Sequence, residues 1–364
     1  MNAGTLHVAP APTLAKQAAK KPAKKSKKKA AKLKQSKDAS ADAGVLVDYS
    51  QRPEVRAFVD DMVARHGFKR DELLQVFTRA RYHANIVRLI TPPTAPRARS
   101  WESYRRSHVD NLRVQGGVNL LRRYPTELAR AEAEFGVPRE IIAAIIGVET
   151  VYGRVMGDFR VIDALTTLAF DYPRRAPYFL SELEQYLLFA RDQNEDVFGL
   201  RGSYAGAIGI PQFMPGSWRR YAVDFDGDGR IDLRNSFVDA IGSVGSFLKA
   251  HGWQAGQPIA LSATIAATPS EANGASSDKL KALLDEGIEP KRKLAELTAS
   301  GITTAGSEAH AQLPAALIDL VTPDQATEYL VGFANFYVIT RYNRSSFYAT
   351  SVWQLAQMVK KAAQ

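Results

Sequence analysis

The stretch Gly136-Val-Pro-Arg-Glu-Ile-Ile-Ala-Ala-Ile-Ile-Gly-Val-Glu-Thr150 decides the fold, because it predicts a helix that is apolar nearly all round. Within it, Ile142, Ile145, Ile146 and Glu149 recur at i, i+3, i+4 and i+7, which places them on one helical face. Aliphatic residues cover the neighbouring stripe as well. Such a helix is expected to be buried in a helical protein, with one carboxyl group at its end.

Helical periodicity continues on both sides of this stretch. The predicted helices begin at Pro53 and cover residues 71–82, 116–123, 126–135, 175–193, 237–251 and 348–363. Residues 255–330 differ, because they are rich in Ala, Ser, Thr and Pro and contain a strand-like stretch at 259–265. The sequence therefore predicts a helical domain of residues 45–254 and 331–364 that carries a small β-containing insertion at 255–330.

The positive charge of the chain is concentrated at one end. Residues 1–44 carry eleven lysines and two acidic residues, a net +9 out of +10 for the whole chain. Their Ala/Lys/Pro-rich composition cannot offset the entropy of ordering, which predicts a disordered tail. The tail is either a solvated extension or a segment that binds anionic polymers through counterion release. The other residues sum to +1, so we expect no specific nucleic-acid partner.

Composition excludes several classes of site. The chain has no cysteine, which rules out disulfides, thiolate metal sites and cysteine nucleophiles. Its longest apolar run, residues 141–148, is far shorter than the ~20 residues of a membrane span. The first residues, MNAGTLHVAPAPTLAKQAAKK, lack the apolar region of a signal peptide, so we expect none.

Glu149 is the leading catalytic candidate. A carboxyl group at the end of an apolar stripe is desolvated, which raises its pKa because burial disfavours the charged form. A raised pKa suits a general acid that works near neutral pH. The spacing alone leaves two alternatives open: Glu149 frays into solvent beyond the helix end, or it forms an ion pair with Arg154.

A second candidate segment is Ser203-Tyr-Ala-Gly-Ala-Ile-Gly-Ile-Pro-Gln-Phe-Met-Pro-Gly-Ser217, where small residues let the backbone approach a ligand closely. Gln212 presents a side-chain amide among apolar neighbours, which suits an N-acetyl group or a hydroxyl group of a sugar. The alternative is a tight structural loop in which Gln212 caps a turn.

The segment Asp224-Phe-Asp-Gly-Asp-Gly-Arg-Ile-Asp232 has the spacing of an EF-hand calcium loop, with aspartates at positions 1, 3 and 5 and glycine at position 6. Position 12 is Asn235 instead of the usual bidentate glutamate, and the next acidic residue is Asp239. A lengthened loop closed by Asp239 is predicted to bind a hard cation, Ca²⁺, in a structural role. The alternative is an acidic turn held by its own Asx hydrogen bonds.

Two polar clusters suit a carbohydrate substrate. The segment Arg341-Tyr-Asn-Arg-Ser-Ser-Phe-Tyr348 combines aromatic rings with amide and hydroxyl groups, a mixture typical of sugar-binding clefts and also of ordinary aromatic cores. Arg174 and Arg175 can clamp a carboxylate, or they are a solvated pair at a helix N-terminus.

Taken together, these segments resemble the lytic transglycosylase B family of peptidoglycan-cleaving enzymes. The resemblance rests on motifs that occur in one order along the chain. After the first stretch come Asp163-Ala-Leu-Thr-Thr-Leu-Ala-Phe-Asp-Tyr-Pro-Arg-Arg175, the Ser203 segment, the aspartate-rich loop, His251-Gly-Trp253, and Asn335-Phe-Tyr with Thr340-Arg-Tyr-Asn343. Several independent motifs in one order make the match specific.

The resemblance implies a mainly α fold: a lysozyme-like helical catalytic domain with flanking helices, an EF-hand-like loop at 224–239 and a small β-containing insertion. It implies Glu149 as the single acid/base, calcium as the bound ion and no organic cofactor. The cleft residues that it implies are Ser203, Gln212, Tyr342, Asn343, Tyr348 and, by a weaker match, Tyr104, with Arg174 and Arg175 on the peptide stem. The calcium ligands that it implies are Asp224, Asp226, Asp228, Asp239 and the carbonyl oxygen of Arg230.

The same resemblance implies a periplasmic location, peptidoglycan glycan strands as the substrate, and proteins of cell-wall synthesis or hydrolysis as partners. The chain departs from the family pattern at Phe247, where a tyrosine is expected, so one hydroxyl contact is lost or replaced.

The implied reaction cleaves the MurNAc-GlcNAc β-1,4 bond without water and forms 1,6-anhydromuramic acid. One carboxyl group suffices for this reaction if the substrate supplies the nucleophile. Two alternatives stay open: a lysozyme-type hydrolase with the same single glutamate, and a non-catalytic peptidoglycan-binding protein. Product mass distinguishes the first alternative, and the effect of Glu149→Gln on turnover and binding distinguishes the second.

Overall fold

The computed structural model describes residues 44–92, 100–265 and 275–364, so the predicted tail lies outside the described residues except for Gly44. Helices dominate this part of the chain, which confirms the predicted mainly α class with a small sheet. The helices are α1 (Pro53–His66), α2 (Arg70–Arg79), α3 (Ala84–Ile90), α4 (Trp101–His108), α5 (Asn111–Arg123), α6 (Pro125–Phe135), α7 (Arg139–Thr150), α8 (Val161–Asp171), α9 (Ala176–Asp192), α10 (Pro215–Tyr221), α11 (Phe237–Ala250), α12 (Ala275–Asp285), α13 (Leu294–Ala299), α14 (Ala334–Ile339) and α15 (Ser346–Ala363).

The strands are short outside the insertion. They are β1 (Val45–Leu46), β2 (Arg81–Tyr82), β3 (Phe159–Arg160), β4 (Arg201–Gly202), β5 (Ala260–Ile265), β6 (Arg292–Lys293), β7 (Ile302–Thr304), β8 (Pro314–Leu320) and β9 (Glu328–Phe333). Within the described ranges we find no helix that is long and apolar enough to cross a membrane.

The chain forms two compact units, and the first comprises residues 44–91 and Gly157–Ala207. Here α8 packs along α9, and the rings of Phe58, Phe77 and Phe170 meet edge to face with centroids 6.0 to 6.1 Å apart. Two small antiparallel pairs, β1 with β2 and β3 with β4, complete this unit. It carries three residues of the predicted cleft, namely Arg174, Arg175 and Ser203.

The second unit comprises the described residues of 92–156 and Ile208–Gln364. Helix α7 lies at its centre and packs against α5, α6, α11 and α15. Every side chain of α7 from Ile141 to Val148 is buried, which confirms the burial predicted from its apolar pattern. Helix α5 begins at Asn111 rather than at residue 116, because the Asp110 side chain caps it by accepting a hydrogen bond from the backbone N–H of Arg113.

The insertion is a five-stranded antiparallel sheet with the strand order β6-β8-β9-β5-β7. One face of the sheet packs against α12 and α13 through Leu283, Leu294 and Leu297, which meet Leu317 and Val331. The sheet runs through Phe333, three residues beyond the predicted boundary at 330, because Val331 and Phe333 belong to this core.

The chain enters and leaves the insertion at neighbouring points. The buried side chain of Asn335 accepts a hydrogen bond from the backbone N–H of Gln254 at 2.8 Å. Its Nδ2 donates to the carbonyl oxygens of Gln254 and Gln257 at 2.8 and 3.1 Å. One amide side chain therefore joins the two ends of the insertion.

The division into units differs from the predicted single helical domain. Residues 157–207 belong to the first unit, where they fold together with residues 44–91. Helical periodicity shows which face of a helix is apolar but not which other helix that face contacts, so this division could not be read from the pattern.

Candidate functional site

Glu149 lies in the last turn of α7, and its side chain is partly accessible to solvent. Tyr348, on the first turn of α15, is buried and donates a hydrogen bond from Oη to Glu149 Oε1 at 2.7 Å. Glu149 is therefore held within the helix and partnered by a phenol, so neither alternative, a frayed side chain or an ion pair with Arg154, describes its position.

The surroundings of Glu149 change its acidity. Burial raises the pKa of Glu149 to about 7, and the hydrogen bond from Tyr348 opposes part of this rise. Burial also raises the pKa of Tyr342 and of Tyr348, and the nearby charge of Glu149 adds to the rise. The same two causes raise the pKa of Tyr104 to about 12. These phenols therefore remain protonated near neutral pH, where Glu149 is close to half ionised.

Tyr342 is fixed by polar and aromatic contacts. Its Oη donates a hydrogen bond to the carbonyl oxygen of Pro211 at 2.6 Å. Its ring lies nearly parallel to that of Tyr348, with an interplanar angle of 16° and centroids 6.4 Å apart. The buried ring of Phe247 packs against Tyr342 at 4.8 Å and stacks on His251 at 4.0 Å. Where a tyrosine was expected, Phe247 therefore contributes packing in place of a hydroxyl contact.

A cavity of about 310 Å³ brings together residues from two distant segments of the second unit. Tyr104 and Asn343, both predicted cleft residues, line it together with Ser100, Ser345 and Phe347. Ser100 and Ser345 cap the N-termini of α4 and α15, so the beginnings of two helices form one wall. The ring of Tyr104 stacks on His108 with centroids 4.1 Å apart. The lining of the cavity therefore combines aromatic rings with hydroxyl and amide groups.

Gln212 and Ser203 hold tight turns in their respective units. Gln212 has a left-handed backbone with φ 51°, and its Nε2 donates to the carbonyl oxygens of Gly209 and Met156 at 2.9 and 3.1 Å. The amide nitrogen therefore caps the turn, as the structural alternative predicted. In the first unit, Ser203 Oγ accepts hydrogen bonds from the backbone N–H groups of Ala205 and Ala207.

Arg174 and Arg175 are exposed on the first unit, in a short 3-10 turn before α9. The guanidinium group of Arg175 lies 4.5 Å from the ring centroid of Tyr178 and 5.3 Å from that of Phe179. Contact with a peptide stem stays a prediction for both arginines.

The aspartate-rich loop brings three carboxylates together. Single oxygen atoms of Asp224, Asp226 and Asp239 lie within 4.8 Å of one another. Asp239 stands in the first turn of α11, where Ser236 Oγ accepts a hydrogen bond from its backbone N–H and donates one to Asp226 Oδ2. Asp228 is not part of this group, and its Oδ1 accepts a hydrogen bond from the backbone N–H of Arg230. Asp239 thus lies beside the first two aspartates of the loop, whereas Asp228 makes a local turn; the role of these residues as metal ligands stays a prediction.

These carboxylates have the chemistry of a hard-cation site. Asp239 is 1% exposed, and burial raises its pKa, with the neighbouring charge of Asp226 adding to the rise. Hydrogen bonds from the backbone N–H groups of Phe225 and Asp232 oppose the rise without neutralising the charge. Oxygen donors at this spacing suit a hard cation such as Ca²⁺.

Comparison with known proteins places this geometry in a family. The sequence pattern of the transglycosylase SLT domain family matches residues 50–357. The chain belongs to this family. It is 43% identical over 325 residues to the membrane-bound lytic murein transglycosylase B of Escherichia coli, a match that covers 86% of this chain and 85% of that protein.

Solved structures agree with this assignment. The Escherichia coli lytic transglycosylase Slt35 in complex with calcium is 41% identical, with a TM-score of 0.75 over 88% of this chain and 96% of that one. The Pseudomonas aeruginosa protein SltB3 in complex with NAG-NAM-pentapeptide is 28% identical, with a TM-score of 0.70 over 85% of this chain and 80% of that one. The chain is thus an enzyme of the lytic transglycosylase B family with the predicted lysozyme-like fold.

The sequence of this lytic transglycosylase did not single out each residue of the candidate site individually. Thr150, next to the catalytic candidate, is fully buried and donates to the carbonyl oxygen of Ile210 at 2.8 Å, which ties the end of α7 to the Gln212 turn. Ser100, Ser345 and Phe347 line the cavity. The serines carry a recognisable signal, because each precedes a helix as an N-cap, whereas Thr150 shows none apart from its adjacency to Glu149.

Proposed function

We propose that Glu149 is the single general acid and base with which this enzyme cleaves the MurNAc-GlcNAc β-1,4 bond of peptidoglycan and forms a 1,6-anhydromuramic acid end. One observation carries the proposal. The Glu149 carboxyl accepts a 2.7 Å hydrogen bond from Tyr348 at the end of a buried helix, and burial raises its pKa to about 7. A group with that pKa is able to donate a proton and then accept one near neutral pH.

One carboxyl group suffices if the substrate provides the nucleophile. Most glycosidases use two carboxylates, one as the acid and one as the nucleophile or base. In the described ranges, the titratable groups that interact with Glu149 are the phenols of Tyr104, Tyr342 and Tyr348, whose raised pKa values keep them protonated near neutral pH. In the proposed reaction the nucleophile is the 6-hydroxyl group of the muramic acid residue.

The reaction proceeds in two proton transfers. Protonated Glu149 donates its proton to the glycosidic oxygen, the bond from that oxygen to C1 breaks, and the N-acetyl carbonyl stabilises the oxocarbenium-like centre. The Glu149 carboxylate then accepts the proton of the 6-hydroxyl group as its oxygen attacks C1. Tyr348 stabilises the carboxylate between the two steps through its short hydrogen bond. Glu149 ends protonated, and no water is consumed.

The substrate contacts form the second part of the proposal. Tyr104 and Asn343 bind sugar in the 310 Å³ cavity, and Tyr342 supports the aromatic wall that includes Tyr348. By the family resemblance, Gln212 and Ser203 contact the glycan, and Arg174 and Arg175 contact the peptide stem. The exposed guanidinium groups suit a stem carboxylate, and the NAG-NAM-pentapeptide bound to SltB3 supports a stem-bearing substrate.

The location and partners of the enzyme follow from its substrate. We propose that it acts in the periplasm on peptidoglycan strands, together with proteins of cell-wall synthesis or hydrolysis. The word murein in the name of the Escherichia coli relative supports this setting.

Product analysis tests the reaction type directly. Digestion of purified sacculi should give muropeptides with anhydro ends that are about 18 Da lighter than hydrolysis products, since no water is added. Mass spectrometry in ¹⁸O-labelled water makes the distinction. Free reducing ends that carry the label would contradict the proposal and show a lysozyme-type hydrolase.

Calcium should stabilise the protein through Asp224, Asp226 and Asp239. Added Ca²⁺ at about one hundred times its dissociation constant should raise the Tm of metal-stripped protein by about 5–10 °C, because it binds the native state alone. Asp224→Asn and Asp239→Asn should each remove most of this response in differential scanning calorimetry. Asp278→Asn, an exposed change on α12, is the matched control and should keep it. Equal melting curves with calcium and with chelator in the wild type would disprove the site.

A further inference from the structure

The backbone directly after Glu149 adopts an unusual conformation. Val151, Tyr152 and Gly153 have φ values of 51°, 58° and 77°, so three successive residues lie in the left-handed region. A β-branched residue such as Val151 is a clear outlier there. Because strained backbone persists only where its surroundings impose it, contacts of this turn must hold it in place.

The ring of Tyr152 supplies such contacts. It lies against glycines of α5 and α7 so closely that any side chain there would displace it. A Cβ atom on Gly116 would stand 2.3 Å from two ring carbons, one on Gly117 would stand 2.8 Å from the hydroxyl oxygen, and one on Gly147 would stand 2.5 Å from it. Three glycines therefore make the space that the Tyr152 ring fills.

Hydrogen bonds close this arrangement into a ring. Tyr152 Oη donates to the carbonyl oxygen of Arg113 at 2.8 Å, and Arg113 Nε donates to the carbonyl oxygen of Gly147 at 3.1 Å. Gly147 also accepts the backbone N–H of Val151 at 3.1 Å. Arg113 is held in turn by Asp110, which caps α5. Burial raises the pKa of Tyr152, so its phenol stays a hydrogen-bond donor.

We propose that Tyr152 is a positioning residue for Glu149: its ring and hydroxyl lock the left-handed turn, and the turn fixes the last turn of α7 so that the Glu149 carboxyl meets Tyr348. The inference rests on the catalytic role proposed for Glu149. Tyr152 acts through the backbone and takes no part in proton transfer. The charged groups near Tyr152 are Asp110 and Arg113. In the described ranges, the titratable groups that interact with Glu149 are the phenols of Tyr104, Tyr342 and Tyr348.

Two kinds of variant test this role through kinetics. Tyr152→Phe removes the hydroxyl group and keeps the ring, whereas Gly116→Ala favours helix α5 but places a methyl group against the ring. In each variant kcat on a soluble glycan should fall at least about tenfold while KM changes less than about twofold, because substrate contacts remain and the acid is misplaced. The alkaline limb of the kcat/KM profile should also move from about pH 7 towards the ordinary value of 4.5, as Glu149 gains access to water.

The control is Tyr186→Phe, which removes a buried hydroxyl bonded to the carbonyl oxygen of Val197 at 2.8 Å in the first unit. It should leave the pH profile unchanged even if its Tm falls as much as that of Tyr152→Phe. A wild-type kcat and pH profile in Tyr152→Phe, measured beside an inactive Glu149→Gln, would overturn the positioning role alone. Full turnover in Glu149→Gln would instead overturn the proposed function. If Gly116→Ala fails to fold, the kcat and pH profile of Tyr152→Phe alone test the positioning role.

Discussion

Glu149→Gln should lower turnover of peptidoglycan by at least about 10²-fold, the lower range for loss of general acid–base catalysis. Glutamine keeps the shape of the side chain and is able to accept the hydrogen bond from Tyr348, but its amide has no acidic proton to transfer to the leaving oxygen. Binding of glycan strands should persist, because the cavity lined by Tyr104 and Asn343 is unchanged. Steady-state release of muropeptides and sedimentation with sacculi measure the two properties separately.

The matched control is Glu140→Gln, which makes the same chemical change in the first turn of the same helix. It should retain wild-type turnover, since the other end of α7 holds the catalytic group. Retained turnover in Glu149→Gln would show that another group is the acid. Loss of glycan binding together with turnover would show that the substitution disturbed the cleft.

The same substitution should make the protein more stable at alkaline pH. The pKa of Glu149 rises from 4.5 to about 7 on folding, so between these values the native state binds more protons than the unfolded state. The wild type should therefore lose stability as the pH rises through this window, whereas a neutral glutamine should not. The shift corresponds to at most roughly 3 kcal/mol above pH 7, or about 5–10 °C in Tm.

Thermal unfolding of both proteins from pH 4 to pH 8 measures this difference. The two Tm values should nearly agree below pH about 4.5, where Glu149 is protonated in both states, and should separate as the pH rises. Glu140→Gln serves again as the control and should run parallel to the wild type. Parallel curves for Glu149→Gln would mean that the folded protein does not hold this carboxyl desolvated.

The sequence was sufficient to predict features that repeat along one helix or within one loop. The spacing of Ile142, Ile145, Ile146 and Glu149 predicted both the burial of α7 and the carboxyl at its end. The acidic loop likewise showed its turn-forming glycines and offered Asp239 as the next acidic residue, which lies beside Asp224 and Asp226 in the structure. Such local features are predictable from sequence because helix geometry and turn geometry fix the relative positions of neighbouring side chains.

Features that depend on packing between distant segments could not be predicted. The partner of Glu149 is Tyr348, 199 residues further along the chain, and nothing in the local pattern of either residue indicates the other. The left-handed backbone of Val151 and Tyr152 is equally hidden, because both residues disfavour it and only the glycines of α5 and α7 explain it. The insertion was predicted to end at residue 330, whereas strand β9 continues to Phe333 and leads directly into α14.

The Asn335 side chain, which binds the backbone of Gln254 and Gln257, separates the stability of the helices from the length of the insertion. It keeps the two ends of the insertion together independently of what lies between them. The entropy of closing a chain segment grows slowly with its length, so lengthening or shortening the segment at such a junction changes the stability of the helices little. Strands of the sheet could therefore be added or removed by design while the helices of the second unit keep their arrangement.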